Sequence, residues 1–125
     1  MENNMTRKEI SGVRDLTLSQ WIKDNLPDSN TGYYVSDIDF VLYDTVTTRC
    51  MLVESKQYGK TMASWQRLLY DRLSSWLIRG KDKGWEFYGY HVVTFENTNF
   101  DDGKVKFDGK EVTEQELIDY LSMKW

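Results

Sequence analysis

Two strand-like runs, "YYVSDIDFVLYD" over residues 33–44 and "RCMLVESKQY" over 49–58, are joined by the short link "TVTT" and followed at once by a helix-period segment. Both runs are rich in β-branched and aromatic residues and are bounded by turn signals, so they read as an antiparallel pair. The pair carries Asp37, Asp39, Glu54 and Lys56 at positions where a buried strand is ordinarily apolar. Any fold for this chain must therefore bury a face of these strands and still accommodate the charges.

The neighbouring segments supply what the strands pack against. "LTLSQWIKDNLPD" places Leu18, Trp21, Ile22 and Leu26 at helical spacing, with Thr17 or Ser19 as N-cap and Pro27 beyond the end. A further helix is expected over residues 6–14. From Met62 to Arg79 the residues Trp65, Leu69, Leu73, Trp76 and Leu77 recur every three or four positions, and Gly80 in "RGKDKG" ends the pattern. "WEFYGYHVVTFEN" is another strand, "KVKFDGKEV" a hairpin turning on Asp108-Gly109, and "TEQELIDYLSMKW" a helix opened by a capping box from Thr113 to Glu116. This order predicts an α/β or α+β class, with a mixed sheet flanked by helices and followed by a C-terminal hairpin and helix.

The chain has 125 residues, enough for one domain over 1–125 with a modest core. No apolar run approaches the roughly 20 residues of a membrane span, and "MENNMTRKEISG" has no apolar signal core, so a cytoplasmic protein without membrane partners is expected. Net charge is −4 and the sequence pI about 5.0, so contact with nucleic acid has to be local or assisted by metal ions. The single cysteine, Cys50, excludes an intramolecular disulfide and a cysteine-built metal site, and its strand context reads as core.

Strand alternation gives the charges a direction. Asp37, Asp39, Val41 and Tyr43 are expected on one face of the first strand, and Leu52, Glu54 and Lys56 on one face of the second. If the strands pair near their polar ends, Asp39, Glu54 and Lys56 converge. An Asp, a Glu and a Lys together suit a hard divalent cation, because Mg²⁺ takes one or two carboxylates and keeps water for the rest. The lysine can then stabilise charge on a phosphate or assist a water. The competing explanation is a solvent-facing edge with a surface ion pair, which stabilises little.

The combined spacing, "DIDFVLYD", fourteen residues between Asp39 and Glu54, then "VESK" and a following helix, resembles the PD-(D/E)XK phosphodiesterase superfamily. The resemblance covers residues 17–95 and implies a restriction-endonuclease-like fold with an αβββαβ core. It implies that Asp39 matches the first Asp, Glu54 the second acid and Lys56 the lysine, with Mg²⁺ or Mn²⁺ as cofactor. The family's usual Pro before the Asp is replaced by Ile38, or by Ser36 if Asp37 is the match, so Asp37 stands beside Asp39 and Glu54 as a candidate metal ligand. Some members add a carboxylate from the first helix; Glu9, Asp15 and Asp24 are the residues available here, without a residue-by-residue match, and each reads more readily as a solvated helix charge.

In the helix after the lysine strand, Gln66 falls at the edge of the apolar stripe with Tyr70 one turn on. A buried amide requires a partner. "WQRLLYDRL" is also similar to the Gln-x-x-x-Tyr element of RecB-type members, which implies that Gln66 and Tyr70 line the site; the alternative is that Gln66 caps the sheet edge and Tyr70 packs.

Other signals carry less. His91, the one histidine, lies within a strand and reads as a packed or edge residue. "NTNFDDGKVKFD" has its Gly one place late for a calcium loop and reads as a turn. No Gly-rich phosphate loop is present. Arg67, Arg72, Arg79, Lys81 and Lys83 read as a charged helix face more readily than as a phosphate stripe.

The expected function is a Mg²⁺- or Mn²⁺-dependent nuclease acting on DNA, less readily RNA, with an endonuclease dimer as one assembly that would hold duplex DNA. The alternative is a non-catalytic binding module on the same fold, contacting nucleic acid or a protein partner, of the kind compact phage genomes encode.

Overall fold

A computed structural model describes residues 16–125, and the chain divides into two compact units, Met1–Val35 and Ser36–Trp125. The helix expected over 6–14 lies outside the described residues.

In the first unit, α1 spans Thr17–Asn25, with Leu16 at the N-cap and no side-chain cap, so neither Thr17 nor Ser19 serves as the cap. Both lie inside the first turns of the helix. The end is as expected: Leu26 is extended, and Pro27 follows it, where the chain cannot continue helical. Asp28 then caps a single 3-10 turn, Ser29–Thr31, by accepting the Asn30 amide.

The second unit is a mixed α/β domain. Its five strands are β1 (Phe40–Asp44), β2 (Arg49–Gln57), β3 (Glu86–Phe95), β4 (Val105–Phe107) and β5 (Lys110–Glu111), lying side by side in chain order. α2 (Ser64–Gly80) joins β2 to β3, and α3 (Glu114–Leu121) follows β5. β1 pairs antiparallel with β2, as its sequence predicts, while β2 and β3 run parallel. Parallel neighbours need a crossover, and α2 is that crossover.

Alternation along β2 sorts the molecule into layers. Met51 and Val53 point to the face where Val93, Val105, Phe107, Val112, Leu117 and Met123 form the apolar core, and α3 covers that side. Leu52 and Glu54 point the other way, toward α2. At the far edge of the sheet, the turn between β4 and β5 has Asp108 at φ 53° and Gly109 at φ 84°, the left-handed pair that the two-residue hairpin requires. Thr113 and Glu116 form the expected capping box of α3.

Three features depart from expectation. Only two strands precede α2 among the described residues, where the resemblance implies three. β1 begins at Phe40, so Asp37 and Asp39 precede the strand and their shared direction does not follow from strand alternation. The two buried residues of α2 are Gln66 and Tyr70, whereas Trp76 and Leu77, expected within the covered stripe, are exposed. The helix is turned toward the sheet by its polar pair, because Glu54 waits beneath it for hydrogen-bond donors.

Candidate functional site

Glu54 is the centre of the site. It lies in the middle of β2, the most enclosed strand, and is only 4% exposed although it carries a carboxylate. Burying an unpartnered charge costs several kcal/mol, so such a group is found only with partners. Three donors meet it: the Tyr70 hydroxyl at 3.0 Å from Oε1, and the Gln66 amide nitrogen at 3.3 Å and the Lys56 ammonium at 3.2 Å from Oε2.

Each donor is placed by its element. Lys56 is two residues from Glu54 on the same face of β2, so the extended backbone delivers it directly. Gln66 and Tyr70 are one helical turn apart, which puts both side chains on the same side of α2 over β2. The Gln66 amide also reaches Ser36 Oγ at 3.4 Å, and the Tyr70 hydroxyl lies 3.1 Å from the Asp37 carbonyl oxygen. The segment 36–37 is thereby fastened to the same helix.

Burial, then the Glu54 hydrogen bond, then the charges of Glu54, Asp39 and Asp37 push the Tyr70 phenol far above the ordinary tyrosine range. Tyr70 is therefore a fixed neutral donor here and has no part as a proton acceptor near neutral pH.

Asp39 arrives by a different route from the one alternation predicts. Its Oδ2 accepts the Ser55 amide at 2.9 Å, which anchors the carboxylate at the residue between Glu54 and Lys56. The register that pairs Phe40 with Val53 ends there, and Asp39 lies just before it. Asp39 is exposed, and its Oδ1 has no partner among the described residues.

Of the residues singled out in the sequence, Asp39, Glu54, Lys56, Gln66 and Tyr70 come together, and Asp37 joins them through its main chain. Asp24, the described candidate from the first helix, accepts from Gln20 at 3.1 Å within α1; Glu9 and Asp15 lie outside the described residues. Two participants were not anticipated: the Ser36 hydroxyl and the Ser55 amide. Ser36 adjoins the acidic pair, which was a usable signal, whereas the use of a backbone amide leaves no mark on sequence.

The donor set bears on a metal. Asp39 and Glu54 give two carboxylates with no nitrogen or sulfur ligand, which fits a hard cation that retains most of its water. No group of three or more His, Cys, Asp or Glu residues is arranged to hold a metal ion among the described residues.

The remaining signals resolve locally. His91 stacks on Phe107 with centroids 4.8 Å apart, and its Nδ1 and Nε2 lie 2.6 Å from Asp108 Oδ2 and 2.7 Å from the Tyr88 carbonyl oxygen. Asp102 accepts the Thr98 and Asn99 amides and the Thr98 hydroxyl, so the calcium-like stretch is a closed turn. Cys50 is partly buried, and burial pushes its thiol up, away from nucleophilic behaviour. No helix among the described residues is long and apolar enough to cross a membrane.

In comparisons with known proteins, no family model matches the chain, and no curated protein and no solved structure matches it.

Proposed function

We propose that the chain is a metal-dependent nuclease hydrolysing phosphodiester bonds in DNA, with RNA second, on a restriction-endonuclease-like core of the PD-(D/E)XK type. The observation that carries this reading is the placement of Asp39 and Lys56 beside the buried Glu54 carboxylate, at the N-terminal half of α2. The antiparallel β1–β2 pair followed by the α2 crossover into a parallel β3 supports it as well.

On this reading Asp39 and Glu54 hold Mg²⁺ or Mn²⁺, and Asp37 lies beside them. The ion would supply Lewis-acid polarisation of the phosphate and a nucleophile from water. Lys56 offsets charge developing on the phosphate oxygens, since an ammonium in a partly enclosed site acts in a low dielectric. Tyr70 and Gln66 hold Glu54 in one orientation, which keeps its carboxylate positioned before substrate arrives.

A second reading has its own observation. Both oxygens of Glu54 already accept donors, so the cluster is complete as a structural network, and the domain would then be a non-catalytic binding module. Incubation with linear, circular, branched and single-stranded DNA in Mg²⁺ or Mn²⁺, beside Glu54→Ala and Lys56→Ala, separates the two. Metal-dependent cleavage lost in both variants is the expected result. Absence of cleavage on every substrate, or cleavage unchanged in the variants, selects the binding module.

A further inference from the structure

Just beyond Lys56 the chain leaves β2 through a turn that holds an aromatic residue in a backbone conformation aromatics rarely adopt. Tyr58 has φ 56° and Gly59 φ 75°, and the Lys60 amide donates to the Gln57 carbonyl oxygen at 3.1 Å. Two successive positive φ values closed by that bond are the pattern of a type I′ turn, whose first central position favours Asn, Asp or Gly. Tyr58 fills it instead, and a bulky side chain there carries backbone strain.

The other described non-glycine residues with positive φ each have a use for it within the fold. Asp108 suits its hairpin turn and meets His91, the Thr48 hydroxyl donates to the Gly84 carbonyl oxygen at 2.9 Å, and Met123 is buried in the core. Tyr58 has no such use: it is 60% exposed, and among the described residues its phenol has no hydrogen bond and its ring no aromatic contact. Its main chain is nonetheless fixed. The Tyr58 amide donates to the Phe95 carbonyl oxygen at 3.2 Å, and the Gln57 side-chain amide beside it donates to the Asn97 carbonyl oxygen at 3.2 Å. The turn thus presents a solvent-open ring on a rigid mount, two residues from Lys56, at a cost in strain that no contact of the folded chain offsets.

We infer that Tyr58 is a base-stacking residue of the Glu54 site, holding an unpaired nucleotide beside the phosphate that Lys56 meets. The identity of the ligand rests on the nuclease reading; the strain and exposure of Tyr58 stand without it. A tyrosine ring stacks on any base, so this contact selects an unpaired stretch without selecting a sequence. Lys60, exposed on the same turn, supplies a cation for a flanking phosphate. The substrate class is then nucleic acid with unpaired nucleotides at the cut, as in single strands and frayed ends.

Two measurements on the full chain test this. Tyr58→Asn puts a residue suited to the turn in place of the ring, so its melting temperature is expected to rise by a few degrees. In the same variant, affinity for a fluorescein-labelled oligothymidylate, read by anisotropy in EDTA, is expected to fall about tenfold. Tyr58→Phe keeps the ring and is expected to bind as wild type does. Equal binding by wild type and Tyr58→Asn, or no rise in melting temperature, overturns the inference. Metal-dependent cleavage by wild type with binding that ignores Tyr58 removes the inference and leaves the nuclease reading in place. Tyr58-dependent binding without cleavage of any substrate does the reverse, and absence of both binding and cleavage removes both.

Discussion

Lys56 and Glu54, two residues apart on β2, meet at 3.2 Å with side chains only 22% and 5% exposed. A pair this enclosed differs from a surface ion pair, because removing one member leaves the other charged and largely dry. The Lys56→Met variant is expected to lose about 2 kcal/mol of stability, less than for a fully buried pair because Gln66 and Tyr70 still serve Glu54. Urea unfolding followed by circular dichroism measures it, and a midpoint unchanged from wild type would show that the pair contributes nothing.

Tyr70 is 1% exposed and its hydroxyl lies between two acceptors, Glu54 Oε1 and the Asp37 carbonyl. Tyr70→Phe keeps the ring and removes the one hydroxyl proton that the buried Glu54 carboxylate and the Asp37 carbonyl share, for an expected loss of about 1–3 kcal/mol. The pKa direction gives a second readout. Tyr70 should contribute phenolate absorbance only well above the ordinary tyrosine range or once the protein unfolds in alkali, and Tyr70→Phe should remove that late contribution.

The His91–Asp108 contact makes stability depend on pH at both ends. Nε2 faces a carbonyl and Nδ1 a carboxylate, so both nitrogens are best served as donors and the imidazolium is favoured. Burial pulls the His91 pKa down, but the Asp108 hydrogen bond, the Tyr88 carbonyl and the Asp108 charge outweigh it and leave it raised. Burial pulls Asp108 up, and the His91 hydrogen bond, the Val92 amide and the His91 charge outweigh it and leave it lowered.

A raised histidine stabilises fully below its unfolded pKa of about 6.5 and loses that contribution as pH rises through the folded value. A lowered carboxyl stabilises above its unfolded value of about 3.9 and loses that contribution as pH falls through the folded one. Unfolding free energy measured from acid to mildly alkaline pH should therefore decline as pH rises past about 6.5 in wild type, and the decline should be smaller in His91→Gln. Parallel profiles for the two proteins would contradict the assignment.

Element types were readable from residue patterns, while the details that build the site came from contacts between elements. The β1–β2 pair, the helix from the sixties to Gly80, the Asp108-Gly109 turn and the Thr113 capping box follow from local signals that tertiary packing did not oppose. The face of α2 was harder, because Gln66 and Tyr70 turn inward for Glu54 at the expense of Trp76 and Leu77.

The aim of Asp39 was harder for a similar reason, since the Ser55 amide holds it and the strand does not. The irregularity in β3 had a sequence signal, a glycine inside a strand pattern. Gly89 at φ 87° lies where the register with β2 shifts, two residues before His91, next to the Tyr88 carbonyl that meets the imidazole.

The central claim is that Asp39 and Glu54 hold a divalent cation, and calorimetric titration with Mn²⁺ tests it most directly. One site is predicted in wild type, lost or weakened at least about tenfold in both Asp39→Asn and Glu54→Gln, since each removes a carboxylate from a two-carboxylate set. No binding to wild type, or binding retained in both variants, would contradict the account.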